Sequence, residues 1–209
     1  MRYDALIWDF DGTICDTTPA FVRAMQEALR DQEIEARADT IEPLIRETLG
    51  TAVNTFAARH GLDADRLHEA WAAHYRAISP AEQPPFPGVE SLLRRFQDAG
   101  GRSFLFTHRS RASLIAHLDH YGLTEYFVEL LAVDDGYARK PDPQAFHDLM
   151  SRYNLAPARV LAIGDRPLDI QAGQAAGVAT CLYGMLPPPT LGPDYAIMDY
   201  AALERSIFA

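Results

Sequence analysis

Short apolar runs recur along the chain between longer stretches in which apolar and polar positions alternate with a helical period. The runs Ala5 to Phe10, Ser103 to Thr107, Val128 to Val133, Val160 to Gly164, Ala179 to Tyr183 and Tyr195 to Met198 read as strands. Between them Val89 to Ala99, Arg111 to Tyr121, Pro143 to Tyr153 and Leu168 to Ala176 read as helices, with Gly100, Gly122 and Gly177 placed as C-terminal stops. Near-continuous apolar strands alternating with helices are what a parallel sheet buried on both faces requires. The pattern therefore predicts an α/β fold, a doubly wound parallel sheet core.

The rhythm breaks after the first strand. From Asp16 to about Gln83 there are four helix-like stretches and no convincing strand, so this part reads as an inserted helical unit. It ends in Pro80-Ala81-Glu82-Gln83-Pro84-Pro85-Phe86-Pro87-Gly88, a composition that suits an exposed, stiff linker. The expected domains are an α/β core of residues 1–15 and 84–209 and a helical insert of residues 16–83.

Charge and cysteine content narrow the partners. A formal net charge of -10 disfavours polyanions, so neither a nucleic acid nor an anionic membrane is expected as a partner. Two cysteines are too few for a disulfide framework and point to a reducing compartment, with the cytoplasm as the expected location. Asp4 and Asp9 interrupt the first ten residues where a signal peptide would need a basic start and an apolar run. The uncharged stretch from Ile170 to Pro193 carries four glycines and four prolines, which a membrane helix would tolerate poorly.

Chemistry concentrates at strand ends, where ligands bind in open α/β sheets. The first strand runs into Asp9-Phe10-Asp11-Gly12-Thr13, and alternation turns both carboxylates to one side. The second ends at Thr107-His108-Arg109, where Thr107 could donate to a phosphate oxygen or serve as a helix N-cap. The fourth predicted strand ends at Gly164-Asp165, with Asp169 four residues on, in the first turn of a helix. Three acidic strand ends, Asp9, Asp11 and Asp165, would repel one another without a cation, and oxygen-only ligands select Mg2+. Among the 19 basic residues the only lysine is Lys140, in Arg139-Lys140-Pro141. A site needing one compact ammonium between a carboxylate and a phosphate oxygen would reject arginine there. Such a lysine is expected to line a solvent-accessible cleft.

In order and spacing, Asp9-Phe10-Asp11-Gly12-Thr13, Thr107, Lys140-Pro141 and Gly164-Asp165 with Asp169 resemble the four motifs of the haloacid dehalogenase superfamily. The insert resembles its small mobile cap, as in the phosphoglycolate-phosphatase-like group. The resemblance implies a phosphatase in which Asp9 is the nucleophile and forms an aspartyl-phosphate, while Asp11 is the general acid and then the base. Mg2+ would be held by Asp9, the Asp11 carbonyl oxygen and Asp165, with Asp169 acting through a metal-bound water or by orienting Lys140. Thr107 and Lys140 would clamp phosphate oxygens. His108 stands where members often have Asn, and with Arg109 it is assigned to substrate binding. Arg46 is the cap residue expected to face the ester, although seven arginines against twelve acidic residues give the cap no anion-collecting character. The expected partner is a small phosphorylated metabolite. A phosphosugar mutase shares these motifs, and a catalytically silent phosphate-binding module is the alternative of another class. A dehalogenase lacks the second carboxylate, and a phosphonate hydrolase would need a cap lysine.

Overall fold

A computed structural model describes residues 1–208; residue 209, the last of the expected core, lies outside them. Two compact units emerge, one of Met1–Cys15 and the chain from Pro85 onward, the other Asp16–Pro84. The first contains six parallel strands, β1 (Ala5–Trp8), β2 (Arg102–Phe106), β3 (Phe127–Leu131), β4 (Val160–Gly164), β5 (Ala179–Tyr183) and β6 (Tyr195–Ile197), in the order β3-β2-β1-β4-β5-β6. It is the expected doubly wound α/β core. The strands are buried on both faces because alternate residues feed two apolar clusters. Leu6 and Trp8 enter one with Leu92, Phe96 and Tyr200, and Ala5 and Ile7 enter the other with Phe104, Phe146 and Leu149.

Strand order reverses beside β1, and register fixes what meets there. Trp8 is level with Leu105 of β2 and with Ile163 of β4, so the next residues of all three strands emerge together at the carboxyl edge. Most predicted boundaries move by one or two residues. The first strand stops at Trp8 rather than Phe10, because the Phe10 carbonyl accepts three successive amides, Thr13, Ile14 and Cys15, and closes a tight loop.

The second unit consists of α1 (Thr18–Arg30), α2 (Ala38–Glu47), α3 (Leu49–His60) and α4 (Ala64–Arg76). Thr48 and Asp63 cap α3 and α4 by accepting the Thr51 and Arg66 amides, and Gly61 ends α3 at φ 67°. Met25, Leu29, Ile41, Phe56 and Trp71 form its core, and the Trp71 indole donates to the Phe21 carbonyl at 3.2 Å. The Pro-rich segment departs from the exposed linker that composition predicts. Pro80–Glu82 forms a 3-10 turn boxed by Ser79 and Glu82, and the Gln83 side chain is buried, accepting from the Tyr75 hydroxyl.

After Pro85 the core unit adds α5 (Val89–Asp98), α6 (Arg111–His120), α7 (Gln144–Arg152), α8 (Pro167–Ala175) and α9 (Tyr200–Phe208). Ser110, not Thr107, caps α6. No helix among the described residues is long and apolar enough to cross a membrane.

Candidate active site

At the end of β1, Asp9 continues the sheet by donating its amide to the Ile163 carbonyl at 2.8 Å, and its side chain is buried. The chain then bends at Gly12, whose φ of 75° suits glycine. A Cβ there would stand 2.3 Å from Asp165 Oδ2, so the turn also leaves the room that the Asp165 carboxylate occupies. Thr13 Oγ1 donates to Asp165 Oδ1 at 3.3 Å. From β4, Gly164 plays the same part for Asp169, since a Cβ would fall 2.3 Å from the Asp169 Cβ. Asp169 Oδ2 accepts the Arg166 amide at 3.1 Å, so the side chain caps α8 while its other oxygen remains for the site.

That other oxygen meets Lys140. The ammonium lies 2.8 Å from Asp9 Oδ1 and 2.8 Å from Asp169 Oδ1, and only 2% of the side chain is exposed. The cleft-lining lysine expected from sequence is instead buried, because two carboxylates and the Phe106 ring, 4.9 Å away, enclose it. Burial opposes the ammonium, but Asp169 and Asp9 outweigh it and raise its pKa. Burial likewise pushes the Asp9 carboxyl up, yet Lys140 and Arg166 overcome that and hold it below the ordinary carboxylate range. Asp9 is therefore ionised.

Asp165 is less well compensated, with Arg166 Nε 3.9 Å from its Oδ1. Burial, reinforced by Asp169 and Asp9, pushes it up to about 8, against the pull of Arg166. Asp169 is also raised, first by burial and then by Asp9, with Lys140 opposing. One oxygen from each of Asp9, Asp165 and Asp169 lies within 4.8 Å of the others. A crowded set of hard oxygen donors fits Mg2+. The Asp11 carboxylate stands apart from this set, turned to Arg109, so Asp11 could join the metal only through its carbonyl oxygen, as the resemblance implies.

His108 and Arg109 are placed differently from the substrate-binding role read from sequence. The Lys140 amide donates to His108 Nε2 at 3.0 Å, which fixes the proton of the neutral ring on Nδ1. Burial, then Lys140 and Arg139, lowers the His108 pKa to about 4. The Arg109 guanidinium is only 3% exposed. It donates from Nε to Asp11 Oδ2 at 3.3 Å, forms an ion pair with Asp11 Oδ1, and reaches Ser113 Oγ at 2.8 Å. Its charge is thus spent on orienting Asp11. Thr107 is buried; its hydroxyl accepts the Arg109 amide at 3.1 Å, which leaves the hydroxyl proton for another acceptor. Arg46 lies in the helical unit near the end of α2, exposed and paired with Glu42 at 2.8 Å.

Sequence reasoning missed Arg166, whose guanidinium reaches Asp9 Oδ2 at 3.3 Å. The available signal was its place directly after Asp165, where the start of α8 must pass the site.

Carboxylates just after β1 and β4, a hydroxyl just after β2 and a buried lysine from the segment after β3 thus belong to one carboxyl edge of the sheet. The haloacid dehalogenase-like hydrolase family model matches residues 6–183, and the chain belongs to that family. A phosphoglycolate phosphatase of Agrobacterium fabrum is 29% identical over 212 residues, covering 97% of this chain and 91% of that protein. An N-acetylmuramic acid 6-phosphate phosphatase of Pseudomonas aeruginosa is 30% identical over 196 residues, covering 90% and 85%. The crystal structure of a predicted phosphoglycolate phosphatase from Haemophilus somnus 129PT shares the fold, with TM-score 0.86, 20% identity and coverage of 99% and 98%. With such relatives the chain is a phosphatase of its family.

Proposed function

We propose that this phosphatase hydrolyses a small phosphomonoester by way of an aspartyl-phosphate on Asp9, with Mg2+ as cofactor. The observation that carries the reading is the buried Asp9 carboxylate, kept ionised by Lys140 at 2.8 Å and set beside Asp165 and Asp169. An Asp9 oxygen attacks phosphorus as the bond to the leaving oxygen breaks, and Asp11 gives that oxygen its proton. Water then attacks phosphorus, Asp11 takes the proton back, and the Asp9–phosphorus bond breaks to release phosphate. Asp9, Asp165 and the Asp11 carbonyl oxygen would hold Mg2+, with Asp169 nearby, and the ion supplies positive charge that lets an anionic nucleophile approach an anionic ester. Lys140 neutralises Asp9 and a phosphate oxygen, Thr107 donates its hydroxyl proton to another, and Arg109 keeps Asp11 in line.

Phosphoglycolate and N-acetylmuramic acid 6-phosphate, which give the two curated relatives their names, each combine a phosphomonoester with a carboxylate. A carboxylate-bearing phosphomonoester is therefore the substrate class of first choice, and the cytoplasm the location. Rapid quenching with an aryl phosphate and Mg2+ should trap one phosphoryl group per chain, labile to hydroxylamine and absent from Asp9→Asn, whose turnover should fall by several orders of magnitude. Near-native turnover in Asp9→Asn would sink the covalent route.

Residues 16–83 are proposed to act as a mobile cap over the bound ester, with Arg46 facing it. The two ends of the helical unit are tied side by side, the Asp16 amide donating to the Pro84 carbonyl at 2.8 Å, which suits a paired hinge. Hydrogen exchange with Mg2+ and beryllium fluoride should show protection spreading into α1 to α4; protection confined to the core would refute the cap.

A further inference from the structure

Two cations approach the three carboxylates, and they are held in different ways. Lys140 makes two directional contacts of 2.8 Å and is enclosed. Arg166 makes loose ones: its terminal nitrogen is 3.3 Å from Asp9 Oδ2, while Nε lies 3.9 Å from Asp165 Oδ1 and 3.8 Å from Asp169 Oδ2. That Nε is buried and has no hydrogen-bond partner. A charged donor left unsatisfied is costly, so this guanidinium is not at rest in a site built around its geometry. It is drawn in by charge, since it reaches all three members of the acidic cluster at once.

We propose that Arg166 is a resident cation that holds the Asp9–Asp165–Asp169 cluster together in the metal-free protein and competes with the divalent ion for it. The proposal rests on reading those carboxylates as the metal centre. With Arg166 in place, an incoming divalent cation would meet a positive charge a few ångströms away, in surroundings that screen it poorly. The backbone of Arg166 is fixed by the bond from its amide to Asp169, whereas its side chain is 17% exposed and has a way out. Relief therefore comes by rotation of the side chain toward solvent, where it becomes available to an anionic substrate. Lys140, locked between two carboxylates, stays.

The test is calorimetric titration with MgCl2, without substrate, of wild-type protein, Arg166→Gln and Arg166→Lys. Removing one positive charge at this distance should tighten Mg2+ binding roughly ten- to a hundredfold in Arg166→Gln. Arg166→Lys should stay near wild type. Thermal unfolding in chelator should show a lower Tm for Arg166→Gln than for wild type, with a larger rise on adding Mg2+. Equal or weaker Mg2+ binding in Arg166→Gln, with binding intact in wild type, would overturn the role of Arg166 alone; no Mg2+ binding in any variant would overturn the metal centre with it. A measurement on the wild type avoids variants that fail to fold. Phenylglyoxal labelling of Arg166, followed by peptide mass mapping, should accelerate when Mg2+ is added, and unchanged or slower labelling would refute the displacement.

Discussion

The two units solve stability in opposite ways. The helical unit keeps its ion pairs at the surface, Arg46 with Glu42 and Arg30 with Glu27 among them, and fills its interior with Phe56, Trp71, Met25 and Leu29. The core unit buries Asp9, Lys140, Asp169 and Arg109 at one sheet edge. Apolar packing tolerates the loss of one surface charge, because water replaces the partner. A buried ionic cluster does not, because each member is tolerated only while its opposite is present. The core thus places its least forgiving residues where chemistry requires charge.

The difference should show most sharply at Lys140. In chelator, Lys140→Met leaves Asp9 and Asp169 with only the loosely held Arg166 as counter-charge, and urea unfolding should register a loss of about 3–5 kcal/mol. Lys140→Arg keeps the charge but must fit a wider fork into an enclosed site. Misplacement of the nucleophile should cost roughly a hundredfold in kcat, and Tm should drop as well, contrary to what a cleft-lining lysine would show.

Phe56→Ala should cost about 3 kcal/mol or more through a cavity in the helical unit. Its signature differs from that of Lys140: the loss should be unaffected by salt and by Mg2+, and phosphate release should persist wherever the unit remains folded. Sensitivity of the loss to salt would contradict a purely apolar interior.

A smaller effect is expected at His108, whose ring must be neutral to accept the Lys140 amide. Its pKa of about 4 is below that of a free histidine, so the unfolded chain takes up a proton first as pH falls. The stability it contributes is complete above about pH 6.5, the free histidine value, and is lost as pH drops through about 4. Lys140, Arg139 and Arg166 around it oppose protonation, and Asp9 favours it. Denaturation at a series of pH values should show a steeper acid loss in wild type than in His108→Asn, where an amide oxygen can accept the same bond without titrating. Parallel curves would assign the acid loss to the carboxylates. Smallest of all, Arg46→Ala should leave Tm unchanged, because both members of its pair are solvated.

Local pattern determined much of this protein. The apolar runs foretold the six strands of the sheet, and strand signals vanish over the stretch that holds α1 to α4. Asp9 and Asp165 were legible together because strand ends in a parallel sheet share one edge, a consequence of backbone geometry that period and turn residues already encode. Asp11, grouped with them from sequence, turns its carboxylate to Arg109 instead, and Asp169 joins them from the first turn of α8. What the tertiary structure alone decided is which charge meets which. Lys140 pairs with Asp9 across 131 residues of sequence, and Arg109 turns from the open edge to Asp11 across 98. Neither is a property of its own segment. A charge is driven to a partner by the loss of water around it, and how much water is lost depends on everything packed above it. Composition therefore made Lys140 conspicuous and the folded core made it buried, while Arg166, unremarkable among many arginines, gained its place from the three carboxylates that β1, β4 and α8 bring around it.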